Sequence, residues 1–318
     1  MALITINDLV IKFKTNDGIV TAVNGFNAQI EKGQTLGIVG ESGSGKSQTV
    51  LAIMRLLAKN AITTGNIIYN QQDLLSISNQ EIRRLRGNKI SMIFQDPMTC
   101  LNPYVTIGKQ LLEVLLNHKN IAKNDAIKTV LNCMDTVKIP DAKRRINQYP
   151  HEFSGGMRQR IMIAMALLCK PELLIADEPT TALDVTVQAE IIALLEDLKK
   201  YLNMAIILIT HDMGVIASSC DTVIVMYGGK IMEQGSVDDI FYNSVHPYTK
   251  GLLASIPSGL QKELYVIPGQ PPSLLNLPNG CPFYERCNIH IDYCQDHMPL
   301  LLPVNNNPDH IKACHVAK

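Results

Sequence analysis

The sequence reads as an α/β fold built around a buried parallel sheet, and three observations carry that reading. Residues Gly40 to Ser47 read G-E-S-G-S-G-K-S, a full match to the pattern G-x-x-x-x-G-K-[ST]. They sit between an apolar run, Leu36-Gly37-Ile38-Val39, and a helix-like stretch, Gln48 to Leu57. That is the strand–loop–helix context the pattern requires. A second apolar run, Leu173-Leu174-Ile175-Ala176, ends in Asp177 and Glu178, and a third, Ala205 to Ile209, ends in Thr210-His211-Asp212. Continuous apolarity over so short a length suits strands buried on both faces, as in a parallel sheet.

The loop is a phosphate site by construction. Small residues let successive backbone N–H groups converge on an anion, and the following helix presents its positive dipole end to the same point. The candidate nucleoside-triphosphate ligands are therefore Gly40, Glu41, Ser42, Gly43, Ser44, Gly45, Lys46, Ser47 and Gln48. Lys46 reaches the β- and γ-phosphates, and the Ser47 hydroxyl ligates Mg²⁺. At the carboxyl end of the second strand, Asp177 is placed to hold Mg²⁺ through a water and Glu178 to polarise an attacking water. Two acids after a strand also occur as a plain solvated turn. His211, ending the third strand, reads equally as a capping or hydrogen-bonded histidine.

Composition narrows the setting. The chain has 318 residues, with 29 basic and 29 acidic side chains, so it lacks the basic excess of a protein that tracks nucleic acid. The first residues, Met-Ala-Leu-Ile-Thr-Ile-Asn-Asp, show no basic segment followed by a long apolar one, and no signal peptide is expected. Runs such as Ile161–Leu168 fall short of the ~18 residues needed to span a bilayer. A soluble, reduced setting follows, in which eight cysteines are poor disulfide candidates.

Those cysteines are unevenly spread. Cys100, Cys133, Cys169 and Cys220 lie mostly in apolar surroundings and read as small core residues. Cys281, Cys287, Cys294 and Cys314 crowd into the last forty positions, with five, six and nineteen residues between them. A proline- and glycine-rich stretch, from Pro257 through Pro268, Gly269, Pro271, Pro272, Pro278 and Gly280, excludes a continuous helix. It marks a boundary near residue 255. Four thiolates suit zinc or a [4Fe–4S] cluster, but the C-x₂-C spacing of zinc ribbons is missing, and buried free thiols are the plainer reading.

A further motif decides among the functions a phosphate loop serves. Phe153-Ser154-Gly155-Gly156-Met157-Arg158-Gln159-Arg160 precedes a helical stretch to Leu168; a hydroxyl and two glycines opening a helix form a second anion site. With this motif the chain resembles the ATP-binding subunits of ABC transporters over about residues 3–255. The resemblance implies a RecA-like P-loop core with an antiparallel β edge, a helical subdomain inserted at about residues 97–157, and a small cysteine-containing appendix at 256–318. It implies that two subunits pair head to tail, so that Ser154, Gly155, Gly156 and Met157 of one close over ATP held by the other. Met157 stands where the family usually has glutamine. Phe13 matches the aromatic that stacks on adenine, and Gln95, in Phe94-Gln95-Asp96-Pro97, the glutamine that senses Mg²⁺. In Ala182-Leu183-Asp184, Asp184 matches the interface loop, and His211 matches the switch histidine at the γ-phosphate. The catalytic set implied is Glu178, His211 and Gln95, with Ser47, Gln95 and Asp177 around Mg²⁺.

Several segments look like the oligopeptide and dipeptide permease branch. They include Ile90 to Thr99, Leu101-Asn102-Pro103, Tyr149-Pro150-His151-Glu152-Phe153 and His246-Pro247-Tyr248-Thr249, together with the appendix to Cys314-His315. The resemblance implies ATP-driven import of peptides, with nickel or another small solute as the alternative cargo and action on DNA or the ribosome as a remote one. It implies two membrane permease subunits, a distinct F-type ATPase partner, an external peptide-binding protein and a peripheral position on the cytoplasmic face of the membrane. It also implies that Cys281, Cys287, Cys294 and Cys314 hold a [4Fe–4S] cluster, zinc or no metal being the other outcomes. The amphipathic stretches Val105–His118 and Lys123–Val137, with Ile107, Leu111, Leu112 and Leu115 at helical spacing, would form the groove that receives the permease.

Overall fold

The computed structural model describes residues 2–96, 100–181, 183–256 and 265–317. The motif residues Pro97, Met98, Thr99 and Ala182 and the first proline of the appendix, Pro257, lie outside the described residues. Among the described residues twelve strands are present: β1 (Ala2–Thr15), β2 (Gly18–Glu31), β3 (Thr35–Val39), β4 (Ala61–Tyr69), β5 (Gln72–Asp73), β6 (Ile90–Ile93), β7 (Leu173–Asp177), β8 (Ala205–Ile209), β9 (Thr222–Tyr227), β10 (Lys230–Ser236), β11 (Leu301–Val304) and β12 (Asn307–Ala313). The chain divides into two compact units, one of residues 1–31, 35–76 and 209–318, the other of 32–34 and 77–208.

In the first unit, an antiparallel sheet of order β2-β1-β4-β5 supplies the expected β edge. The unit also carries β3, wholly buried, paired in parallel with β9. Beyond β9 the sheet continues antiparallel through β10 and β12 to β11. The last of these strands come from the appendix, so the proline-rich tail has no separate core. Instead Cys281, Phe283 and Cys294 pack in one apolar cluster with Val39, Val225, Tyr227 and Tyr248. Tyr227 and Phe283 meet edge to face at 5.3 Å, a geometry that suits the quadrupoles of two aromatic rings. Glu233 of β10 is fully buried, and its carboxylate is satisfied by the N–H groups of Val245 (2.8 Å) and His246 (3.1 Å) and by His310 of β12 (2.9 Å).

The second unit holds β6 and β7 in parallel register, Ile90 opposite Leu173 and Ile93 opposite Ala176, with β8 in order after β7. Helices Ile107–His118, Lys123–Thr136 and Gly155–Leu167 pack on one another. Their buried residues recur every fourth position, Ile107, Leu111 and Leu115 on one helix and Ala126, Val130 and Met134 on the next, as an apolar stripe at helical period requires. Cys100 departs from expectation. It is exposed, while its neighbour Leu101 takes the buried side.

Candidate active site

The phosphate loop joins β3 to the helix Lys46–Ile53. Gly40 has φ +149°, and a Cβ there would lie 2.1 Å from the carbonyl oxygen of Met226; at Gly45, with φ +102°, it would lie 2.3 Å from that of Ala22. Only glycine meets both demands, so these two positions fix the loop's path. The Lys46 ammonium folds back onto the loop, donating to the carbonyls of Gly40 (2.7 Å) and Glu41 (2.9 Å). The Ser44 hydroxyl oxygen is buried, with no hydrogen-bond partner among the described residues. An orphaned hydroxyl in a cradle closed to side chains fits a phosphate oxygen, which restores the missing bond. Ser42 and Gly43 are exposed, and Ser47 and Gln48 partly so, on the first turn of a helix whose N–H groups point outward. Phe13 sits half-buried on β1, opposite Val20 and Ala61.

In the second unit, Asp177 is the buried last residue of β7. Glu178 follows in a left-handed conformation, φ +48°, a strained state for a non-glycine residue of the kind that clusters at functional sites. Its Oε2 accepts hydrogen bonds from Gln95 Nε2 and Thr181 Oγ1, each at 2.9 Å. The structure thus brings together two of the expected catalytic residues and adds Thr181, for which the sequence holds no signal beyond a hydroxyl three positions on. His211, of the first unit, is an exposed bend residue after β8. The capping task falls to its neighbour Asp212, whose Oδ1 accepts from the N–H groups of Gly214 (2.8 Å) and Val215 (3.2 Å).

Ser154 caps the helix Gly155–Leu167, its Oγ accepting from Met157 N–H at 3.4 Å. Ser154 and Gly155 are exposed, and a Cβ at Gly155 would meet nothing within 4 Å. Gly156 is closer to its surroundings, a Cβ there lying 2.8 Å from Val187. Further along, Arg160 is anchored to Glu190 (2.6 Å) and to the Val137 carbonyl (3.2 Å). Asp184, expected at a subunit interface, also caps the helix Val185–Leu202 through Val187 N–H at 2.9 Å. Sequence reasoning missed this second duty, although an aspartate before an apolar helical run is its usual signal.

The expectation of a [4Fe–4S] cluster or zinc in the appendix is not supported. Cys281, Cys287, Cys294 and Cys314 line a common cavity of about 20 Å³, which is room for roughly one water. Among the described residues no group of three or more His, Cys, Asp or Glu side chains is arranged to hold a metal ion. Cys281 and Cys294 lie in the apolar cluster, and Cys287 packs against it. Burial pushes the Cys281 thiol up to about 12 and raises that of Cys287. Cys314 accepts a hydrogen bond from Ala317 N–H at 3.3 Å.

A buried parallel strand feeding a phosphate loop, an acid pair ending another strand and a serine–glycine–glycine helix start define an ATP-binding cassette, and the chain belongs to the ABC transporter family. The profile described as ABC transporter matches residues 23–181, and that described as oligopeptide/dipeptide transporter, C-terminal region, matches residues 232–294. The chain is 56% identical to the oligopeptide transport ATP-binding protein OppD of Haemophilus influenzae, over 92% of this chain and 91% of that one. It is 54% identical to the OppD of Salmonella typhimurium, over 98% and 93%. Among solved structures it is similar to the ATP-binding cassette MJ0796 in a dimeric post-hydrolysis state bound to ADP and Pi, with a TM-score of 0.66, 26% identity, and 74% and 98% coverage. Among the described residues no helix is long and apolar enough to cross a membrane.

Proposed function

We propose that this chain binds and hydrolyses ATP to power the import of oligopeptides or dipeptides through an ABC transporter. The observation that carries the chemistry is the phosphate loop, with its glycine-only path, inward-folded Lys46 and orphaned Ser44 hydroxyl. The cargo rests on the relatives named for oligopeptide transport, whose likeness runs through the appendix as well as the cassette. Residues 1–255 act as the ATPase, those at about 97–157 as its helical subdomain, and 256–318 as the oligopeptide/dipeptide-transporter C-terminal region.

The mechanism follows from charge. Lys46 exchanges the Gly40 and Glu41 carbonyls for β- and γ-phosphate oxygens, and Ser44 Oγ donates to the same anion. Phe13 stacks on the adenine. Ser47, Asp177 and Gln95 would hold Mg²⁺, which when bound neutralises charge building on the phosphates. Glu178 accepts a hydrogen bond from the attacking water and draws its proton, while His211 donates to the γ-phosphate. Water adds to the γ-phosphorus and ADP leaves. Ser154, Gly155, Gly156 and Met157, with Asp184 beside them, close over the ATP of a second ATPase subunit. That closure supplies a second set of dipoles and excludes water. ATP favours the closed pair over the open one, and this difference drives the permease subunits to switch.

The second ATPase is a distinct F-type subunit. Two permease subunits and an external peptide-binding protein complete the machine, on whose cytoplasmic face this chain sits. Uptake of labelled peptide and of nickel, each measured with the assembled complex and its binding protein, tests the cargo. Peptide uptake that stops in a Lys46→Ala variant is the expected result; nickel uptake without peptide uptake would replace it.

A further inference from the structure

The pattern admits any side chain at the second position of the phosphate loop, where Glu41 stands among the expected nucleotide ligands without a role of its own for its carboxylate. Glu41 is nonetheless bonded at all three of its polar groups. Its N–H donates to the Tyr248 hydroxyl at 2.8 Å. Its carbonyl accepts from the Lys46 ammonium at 2.9 Å and from Ser44 N–H at 3.2 Å. Its Oε2 accepts from Arg286 Nη1 at 2.8 Å. Glu41 is therefore the point at which the loop, its phosphate-binding lysine and a residue 245 positions downstream are tied together.

Arg286 is itself over-determined. Its side chain is 6% exposed against 25% for Glu41. Besides Glu41 it donates to Tyr227 Oη (3.0 Å), to the Pro268 carbonyl (2.8 Å) and to the Ile267 carbonyl (3.2 Å). The guanidinium lies 5.6 Å from the centre of the Tyr227 ring and 5.9 Å from that of Phe283. A planar fork with five donors reaches four acceptors in this way, which the single ammonium of a lysine does not reproduce. Of its five partners, Ile267, Pro268 and Phe283 belong to the appendix, Tyr227 to β9 and Glu41 to the phosphate loop.

We propose that Arg286 is a positioning residue for the phosphate loop: by fixing Glu41 it holds the loop backbone and Lys46 in the shape that receives ATP, and so couples the order of the C-terminal region to nucleotide affinity. The inference rests on residues 40–48 being the ATP site. Its rival is that Arg286 only fastens the appendix to the apolar cluster. That role would lower the unfolding temperature of the nucleotide-free protein and leave the affinity of the folded protein alone.

The test uses the full chain, with ATP affinity followed by a fluorescent ATP analogue and KM and kcat measured in the assembled transporter. Arg286→Ala and Glu41→Gln should each weaken binding on the order of tenfold, the size of one charge-assisted contact. The loss should appear in KM, with kcat within about twofold of wild type. The double variant should bind no more weakly than either single one, because both remove the same contact. Arg286→Lys should recover only part of the loss. Wild-type affinity in folded Arg286→Ala, or losses that add in the double variant, would overturn the proposal. If Arg286→Ala does not fold, wild-type affinity in Glu41→Gln overturns it equally. Lys46→Ala is the control: ATP binding that survives it would sink the reading of the loop itself, whatever Arg286 does.

Discussion

The two loops proposed to bind anions are built in opposite ways. The phosphate loop is enclosed by its own chain, with Gly40 and Gly45 pressed against backbone carbonyls, Ser44 and Lys46 buried, and Glu41 held from three sides. The loop that opens with Ser154 is tied down at its base, through Gly156 near Val187 and Arg160 on Glu190. Its tip, Ser154 and Gly155, is exposed. Both sites rely on helix N-termini and small residues, yet one is finished within the molecule and the other presents its dipole to solvent. The contrast suits an ATPase whose first site binds nucleotide alone and whose second acts on nucleotide held elsewhere.

The largest expected effect separates binding from chemistry. Glu178→Gln should retain ATP affinity while turnover in the assembled complex falls about 10²–10⁴-fold, the usual contribution of a general base. Wild-type turnover would remove Glu178 from the mechanism. A pair of glycine variants sharpens the comparison of the two loops. Gly40→Ala should cost about 3 kcal/mol or more, because its Cβ collides with backbone; Gly155→Ala should be neutral or slightly stabilising, since alanine favours a helix. Thermal unfolding of the two variants side by side measures both, and equal losses would deny that the loops differ in enclosure.

A smaller effect lies in pH. His246 is buried, accepting Tyr248 N–H on Nδ1 at 3.1 Å, and burial lowers its pKa from 6.5 to about 4 despite a bond to the Ala313 backbone. The unfolded chain therefore binds a proton that the folded one refuses. The stability contributed by the neutral ring is complete above about pH 6.5 and is lost as the pH falls toward about 4, to a ceiling of about 3 kcal/mol. Denaturant unfolding of His246→Asn should show a shallower loss across that window than wild type. An unchanged slope would remove His246 from the acid sensitivity.

Much of this was legible in the residues. The apolar runs at 36–39, 173–176 and 205–209 became β3, β7 and β8, because a strand buried on both faces leaves little freedom in its composition. The helix expected over Lys123–Val137 spans Lys123–Thr136, and that over Val105–His118 begins at Ile107. What stayed hidden depends on distant chain meeting in space. No local signal ties Arg286 to Glu41 or Thr181 to Glu178. The spacing of Cys281, Cys287, Cys294 and Cys314, and the resemblance behind it, point to a metal; the fold brings the four to one small cavity, but not in an arrangement that supports an ion. Tyr248 sits in a segment that matches peptide permeases, but its hydroxyl bond to the phosphate loop required the fold.

Ser154 is proposed to act on nucleotide bound by another subunit. Its most direct test is ATP-driven association, followed by light scattering, of this chain with its ATPase partner in a Glu178→Gln background that traps ATP. Adding Ser154→Arg should abolish association while the isolated chain binds ATP with unchanged affinity. Loss of ATP affinity in the isolated Ser154→Arg chain, as complete as in Lys46→Ala, would contradict it.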